Sequence, residues 1–336
     1  MPDIALAVVA GRLLTELVDV TSDLAALDSH GTWAVVAPFD GDPVCARFAT
    51  VRPAVPWPGR PWPGVDPEAW SSSLERNSFC AGVQDIRAAI AAGEVYQVNL
   101  CRVLSAPLGP LADVAALGAA LAVGNPARYS AVVRLPAQGI AVASASPELF
   151  LRRDGRVISS SPIKGTAVRA DSFLPKDRAE NVMIVDLVRN DLGRVCEYGS
   201  VHVPSLMAVE EHPGLHHLVS SVRGWLRPGL GWTDAMGAMF PPGSVTGAPK
   251  LAALTHIAAL EPAARGPYCG AIGWVDADAE QGELNVAIRT FWFEHGRINL
   301  GTGGAVTWDS TPEQEWEETE LKARNLLRVA AGPVPA

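Results

Sequence analysis

The sequence predicts an α+β fold, with large antiparallel β-sheets stacked as a β-sandwich and helices packed on the outer faces. Three observations carry that expectation. Strand-like runs outnumber helix-like runs, and the two kinds are interspersed along the chain. Several neighbouring strand runs are joined by short turn signals, Asp154-Gly155 above all, and a two-residue Asp-Gly loop joins antiparallel strands. Of the 336 residues, 48% are apolar, ample for a sizeable core shared between layers. A doubly wound parallel sheet fits this pattern poorly.

The first sixty residues read as loosely organised, with short strand-like runs such as Thr32-Trp33-Ala34-Val35-Val36. The stretch from Pro53 to Pro63 carries five prolines and reads as a linker or an extended surface loop. Residues 1–65 are therefore expected to form a short N-terminal segment, packed with residues 66–336 as one large domain. Residues 79–92 are expected to be helical, because Val83, Ile86 and Ile90 recur at helical spacing and Gly93 acts as a stop. Strands are expected over 95–104, 128–135 and 140–145, with 149–153 and 156–160 flanking the Asp154-Gly155 turn. A helix follows over 173–192, then strands over 198–203 and 217–225. Residues 248–260 read as a helix with Leu251, Leu254 and Ile257 on one face. Strands over 268–275 and 284–293 come next, and His295-Gly296 turns into 297–300. A strongly charged helix, 311–330, closes the chain.

Composition excludes several classes. No run of eighteen uncharged apolar residues occurs, so no transmembrane helix is expected. Residues 1–10 are apolar but carry Asp3 and no basic leader, so a secretory signal is not expected. The five cysteines are scattered and form no C-x-x-C pair, which suits reduced thiols in a cytoplasmic enzyme. The net charge of −9 argues against nucleic acid as a partner. A small anion stays open, because a pocket can be positive inside an acidic protein.

Six constellations could carry chemistry. Asp177 and Glu180 lie three apart in a helix and share a face, as do Glu315 and Glu318, with Lys322 four further on. Carboxylates from two helices can converge on a hard cation such as Mg²⁺. They can equally be solvated faces, and Glu318 with Lys322 has the favourable orientation for a surface ion pair. The loop Gly243-Ser244-Val245-Thr246-Gly247-Ala248-Pro249-Lys250 opens a helix, which suits either an anion site or a plain initiating turn. Its glycine spacing is not that of a P-loop. Gly301-Thr302-Gly303-Gly304 lacks the dinucleotide pattern and reads as a carboxylate-binding turn or an ordinary one. Lys164, between Ile163 and Gly165, is either a surface lysine or a buried amine whose lowered pKa makes it nucleophilic. His212, His216 and His217 lie close together without the other ligand types of a zinc site. His217 reads better as a single polar residue facing a cavity. No G-x-S-x-G elbow occurs around Ser244, which disfavours a serine hydrolase.

Taken together and in order, these segments resemble the chorismate-utilising enzymes. The matching text runs from about Phe79 to Leu327. It includes Gly93-Glu94-Val95-Tyr96-Gln97-Val98-Asn99-Leu100, Ser146-Pro147-Glu148-Leu149-Phe150 and Pro162-Ile163-Lys164-Gly165-Thr166. It continues through Asp177-Arg178-Ala179-Glu180-Asn181, His217-Leu218-Val219-Ser220, Val245-Thr246-Gly247-Ala248-Pro249-Lys250, Ala287-Ile288-Arg289-Thr290 and Glu315-Trp316-Glu317-Glu318-Thr319.

The resemblance implies that family's fold and a chorismate substrate. It implies Mg²⁺ on Glu180 and Glu318, with Asp177 and Glu315 acting through waters. It implies Glu148 as general acid, Lys164 as covalent nucleophile and His217 lining the C4 region. Thr246 and Gly247 would take the ring carboxylate. Tyr268, Arg289 and the amides around Gly303 would take the enolpyruvyl carboxylate, with Thr166, Gly304 and Lys322 also on the substrate. Gln97 stands where the water-adding members carry a basic lysine, so water addition is disfavoured. The Pro-Ile-Lys-Gly-Thr form looks like that of the aminodeoxychorismate synthases, implying amination at C4 with ammonia from a separate glutamine amidotransferase subunit. The alternatives are amination at C2 and a non-catalytic chorismate-binding subunit. The N-terminal segment is short beside that of the family.

Overall fold

The computed structural model describes residues 4–54, 60–167, 169, 171–173, 175–212 and 215–332. Strands β1 (Leu6–Val9), β2 (Arg12–Thr21), β3 (Thr32–Ala37) and β4 (Val44–Pro53) come first. The short β5 (Ser71–Ser72) leads to α1 (Arg76–Ala91), β6 (Gln97–Pro107) and α2 (Val114–Gly124). Five strands follow: β7 (Tyr129–Leu135), β8 (Ile140–Ser146), β9 (Leu149–Asp154), β10 (Val157–Ser161) and β11 (Ile163–Ala167). Helix α3 (Pro175–Gly193) separates these from β12 (His202–His212) and β13 (Leu215–Trp225). Then come α4 (Trp232–Met239), β14 (Gly247–Ala248) and α5 (Lys250–Leu260). The chain closes with β15 (Ala271–Asp276), β16 (Gln281–Val286), β17 (Thr290–Glu294), β18 (Arg297–Val306) and α6 (Pro312–Ala330).

Every strand pairing among the described residues is antiparallel, as the hairpin signals require. One ladder runs from β5 through β6, β18, β17, β8 and β7 to β1. It continues through β2, β4, β3, β15, β16, β9, β10 and β13 to β12. Strand β11 adds to β13 and β14 adds to β6. The ladder doubles back, so that β7 packs against β15 and β16. The largest core fills that fold, with Val9, Val133, Val35, Ile272, Leu284 and Leu151 inside it. Helices α1 and α5 cover β6 through Phe79, Val83, Ile86, Ala253 and Ile257, and α2 and α6 share another cluster.

Four departures from the sequence expectation have physical causes. The first sixty residues are not loose: β1 to β4 are fully paired strands. Their signal is weak because β2 is half exposed and carries a register shift between Leu17 and Asp19, which breaks the period-two pattern. Residues 55–59 of the proline-rich stretch lie outside the described residues. Helix α2 is not expected from the sequence, since Val114 to Gly124 is apolar all round and shows no period; Asp113 caps it, its side chain accepting from Ala115 N at 3.0 Å. The strand expected over 198–203 begins only at His202 and runs to His212, because Gly199 turns the chain with φ +77°. The single strand expected over 284–293 is two strands, broken where Arg289 takes φ +52°. The break lets β16 pair with β9 while β17 pairs with β8.

Candidate active site

Alternate residues of a strand share a face, and Gln97, Asn99 and Cys101 line one face of β6. The loop from Pro242 to Ala248 is held against this face. Asn99 N donates to Thr246 O at 2.8 Å, and Gly247 pairs with Val98. A side chain at Gly247, where φ is +149°, would strike the Gln97 carbonyl. Arg265 clamps the joint from behind, donating to Val245 O at 2.9 Å and to Asn99 O at 3.0 Å. The Glu261 carboxylate balances the Arg265 charge at 2.6 Å, with both side chains buried. The Thr246 hydroxyl is used inside the loop, donating toward Pro242 O and Gly243 O.

Lys164 reaches this loop from β11. Its Nζ donates to Ser244 O at 3.0 Å, and Asn99 Nδ2 donates to the same oxygen at 3.3 Å. Gln97 Nε2 donates to Asn99 Oδ1 at 3.1 Å. Glu148 sits beside this cluster, in the short link between β8 and β9, and is buried. Ser146 Oγ holds the link by donating to Val286 O at 2.6 Å, while Val286 N donates to Glu148 O at 3.0 Å. Burial pushes the Glu148 carboxyl up, against the opposing pull of the Ser244 hydroxyl and the Lys164 and Lys322 ammonium groups. Arg289 lies within electrostatic reach of Glu148: burial lowers its guanidinium and the Glu148 charge opposes that. The strained φ at Arg289 is anchored by Ala145 N, which donates to Arg289 O at 3.0 Å.

The glycine run on β18 forms another wall. Tyr268 is buried against Gly301, where any side chain would collide with the ring. The Tyr268 hydroxyl lies 4.0 Å from Cys101 Sγ. A side chain at Gly303 would strike Cys101 Sγ, and one at Gly304 would meet Glu315 Oε2 at 2.8 Å and Glu318 Oε1 at 3.6 Å. Helix α6 thus presents both carboxylates to the same spot. Lys322 Nζ bonds Glu318 Oε1 at 2.7 Å and Gly303 O at 2.9 Å. On the β11 side, a side chain at Gly165 would meet Asp177 Cβ at 2.9 Å, so α3 brings its first turn against Lys164's neighbour. Glu180 lies three residues along α3, on the face that carries Asp177. His217 is buried in β13, opposite Thr166 of β11. The Thr166 side chain lies outside the described residues.

The fold therefore joins Lys164, Glu148, Arg289 and Lys322 in one electrostatic cluster, with Gln97 tied to it through Asn99 and Ser244. Among the described residues no three His, Cys, Asp or Glu side chains gather as a metal-ligand group. Mg²⁺ needs only one or two carboxylates and completes its octahedron with water and substrate oxygens. The hard oxygens of Glu315 and Glu318 at Gly304 fit that requirement in kind. Sequence reasoning singled out none of Asn99, Arg265 and Glu261 as site residues, and read Ser244 only as part of the Gly243 to Lys250 loop. Glu261 and Arg265 did leave a signal, an i,i+4 acid–base pair just after an apolar helix.

The profile of the chorismate binding enzymes matches residues 56–328. The chain belongs to the chorismate-binding enzyme family. Members similar to it include an anthranilate synthase component 1 of Haloarcula marismortui, 40% identical over 275 residues, which are 78% of this chain and 55% of that one. The aminodeoxychorismate synthase component 1 of Klebsiella aerogenes is 40% identical over 271 residues, 77% of this chain and 59% of the relative. The chloroplastic aminodeoxychorismate synthase of Arabidopsis thaliana is 40% identical over 262 residues, covering 74% of this chain and 28% of that one. This family member thus spans less than two thirds of the length of each of these relatives. Its fold is that of the anthranilate synthase component I of Streptococcus pneumoniae, with a TM-score of 0.79 at 24% identity over 98% of this chain and 91% of the other.

Proposed function

We propose that this chain is component I of an aminodeoxychorismate synthase, converting chorismate and ammonia to 4-amino-4-deoxychorismate on the 4-aminobenzoate route to folate. The observation that carries the reading is the amine of Lys164 held 3.0 Å from Ser244 O, in the same cluster as a buried acid, Glu148. A nucleophile and a proton donor on one substrate are what substitution of a poor leaving group needs.

In this reading the Lys164 amine attacks C2 of chorismate. The N–C2 bond forms, the two ring double bonds each shift by one position, and the C4–O bond breaks. Protonated Glu148 gives its proton to the departing oxygen, which leaves as water. Ammonia then attacks C4, the double bonds shift back, and the C2–N bond breaks. Lys164 departs as the neutral amine, because its adduct nitrogen carried both protons and the positive charge. The new C4 ammonium returns one proton to Glu148, and the cycle closes. Arg289, Tyr268 and the amides around Gly303 and Gly304 would hold the enolpyruvyl carboxylate, Arg289 through its two-pronged guanidinium. Thr166 and Gly247 would hold the ring carboxylate, with Thr246 fixing the loop from within, Lys322 would add a positive charge there, and His217 would line the C4 region. Glu180 and Glu318 would hold Mg²⁺, with Asp177 and Glu315 behind them. When bound, the ion would neutralise the ring carboxylate and draw electron density from the ring. Gln97 cannot act as a base toward water. A glutamine amidotransferase subunit would supply the ammonia. Five free cysteines suit the reducing cytoplasm as the place of action.

Incubation with chorismate, Mg²⁺ and ammonium, with the product identified by mass spectrometry and NMR, tests this. Nitrogen at C4 is expected, and a Lys164-linked adduct should be trapped in the wild type and absent from Lys164→Ala. Nitrogen at C2 would instead support the second reading, anthranilate-type amination, which the Haloarcula relative favours.

A further inference from the structure

A second concave surface lies on strands β9, β10 and β13. Successive residues of a strand point to opposite faces. On β13, Leu218, Ser220 and Val222 turn inward and are buried, so Val219, Ser221 and Arg223 share the other face. Ser159 of β10 pairs with Arg152 of β9 on one side and with Arg223 of β13 on the other. The register thus sets two arginines in one cross-strand row with a serine between them. Neighbouring strands lie about 4.8 Å apart, so the two arginines start only about 10 Å apart. Ser161 and Ser221 lie beside that row, their hydroxyls 3.0 Å apart. Arg128, just before β7, leans over the Tyr129 ring, 5.4 Å from its centre. All of these residues line one cavity of about 160 Å³.

Like charges gathered on one sheet face cost stability unless something answers them. Here they are answered only in part. Arg152 Nε donates to the Glu283 carboxylate at 3.0 Å. Arg128 has Glu210 at 3.9 Å, the outer limit of an ion pair. Arg223 is exposed and forms no ion pair with any described residue. The lining carries three guanidinium groups against one carboxylate, that of Glu210, in a chain whose net charge is −9. Burial pushes the Tyr129 phenol up, and Arg128 and Arg152 both pull it down, which sets the two guanidinium groups around one spot.

The donors define the ligand. Guanidinium forks bind pairs of oxygens on carboxylates and phosphates, and hydroxyls add single donors. A carboxylate has two oxygens, too few for three forks and three serines, whereas a phosphate has enough. The cavity is smaller than the roughly 300–1,000 Å³ of pockets that take drug-sized ligands. Its occupant is therefore small.

We propose that this cavity is a phosphate-binding site, taking free phosphate or the phosphate of a small monoester. It does not depend on the proposed amination. It does share a wall with the Lys164 cluster, since Pro147 and Ile163 line the cavity and precede Glu148 and Lys164 in the chain.

Isothermal titration calorimetry of the whole chain at low salt tests this, with inorganic phosphate and, separately, glycerol phosphate. One saturable site is expected, with a Kd on the order of 1 mM or tighter. Arg223→Gln should weaken it by about tenfold or more, the worth of one charge-assisted hydrogen bond. Arg289→Gln, in the active site, should leave the affinity unchanged. Equal affinity for the two probes assigns free phosphate. Tighter glycerol phosphate assigns the ester, packed on Pro147 and Ile163. No saturable binding of either probe overturns the proposal, and so does any smaller loss in Arg223→Gln. An equal loss in Arg289→Gln also overturns it, because the anion then sits in the active site or the effect is global. If Arg223→Gln unfolds at the assay temperature, Arg128→Gln, which lies outside the strands, carries the same measurement with the same outcomes.

Discussion

At the scale of single residues, Glu148 concentrates the competing forces. Burial penalises its charge, and the Ser244 hydroxyl, Lys164 and Lys322 only partly restore it, so its carboxyl titrates above the ordinary range. Arg289 also feels its charge. A carboxyl raised in the folded state lends stability that is fully present below its unfolded value, about 4.3, and is lost as pH rises through the folded value. Glu148→Gln carries no charge to penalise. Its stability relative to wild type should therefore improve as pH rises above the unfolded value of about 4.3, read as the difference between thermal melts across a pH series. Its amination rate should fall by about 10²-fold or more, the usual contribution of a positioned general acid. A stability difference that does not vary with pH would show that the Glu148 carboxyl is not raised in the folded state.

At the scale of elements, the joint between β6 and the loop before α5 depends on one buried ion pair. Arg265 ties Val245 O and Asn99 O together, and Glu261 also accepts from Cys101 N at 2.8 Å. Phe39 lies 4.5 Å from the guanidinium and closes its open face. Removing one partner of a buried pair strands the other charge, at a cost of about 3–5 kcal/mol. Arg265→Met should lose stability on that order in urea unfolding. Arg265→Met together with Glu261→Leu should recover most of it, because no isolated charge remains. Since Asn99 belongs to the joint, the single variant should also weaken amination. The element types around this joint were legible from period and punctuation, as with Val83 and Ile86 on α1. The joint itself was not, because nothing local in Ala-Ala-Arg-Gly-Pro says that Arg265 points at a strand more than 160 residues earlier.

At the scale of the whole molecule, the two halves of the ladder meet at β1, whose four residues are all buried between β2 and β7. Deleting residues 1–10 should leave both strands with bare edges and uncover Leu14 and Val133. The expected outcome is loss of the single cooperative unfolding transition, with aggregation during refolding, measured by denaturant titration and light scattering. An unchanged transition would mean that the halves stand without this seam.

The sequence by itself determined the class of fold, most helices and strands, and the residues able to do chemistry. Those properties come from near neighbours: hydrophobic period, turn residues, and the order of segments such as Pro162-Ile163-Lys164-Gly165-Thr166 and Ser146-Pro147-Glu148. Only the tertiary structure decided which of them meet. Lys164 reaches Ser244 across 80 residues, and Asn99 reaches it across 145. Such contacts depend on strand register and on how the ladder folds over, and a one-residue slip in β6 would turn Gln97 and Asn99 to the opposite face. For the same reason the row of Arg152, Ser159 and Arg223 became visible only once three strands stood in register.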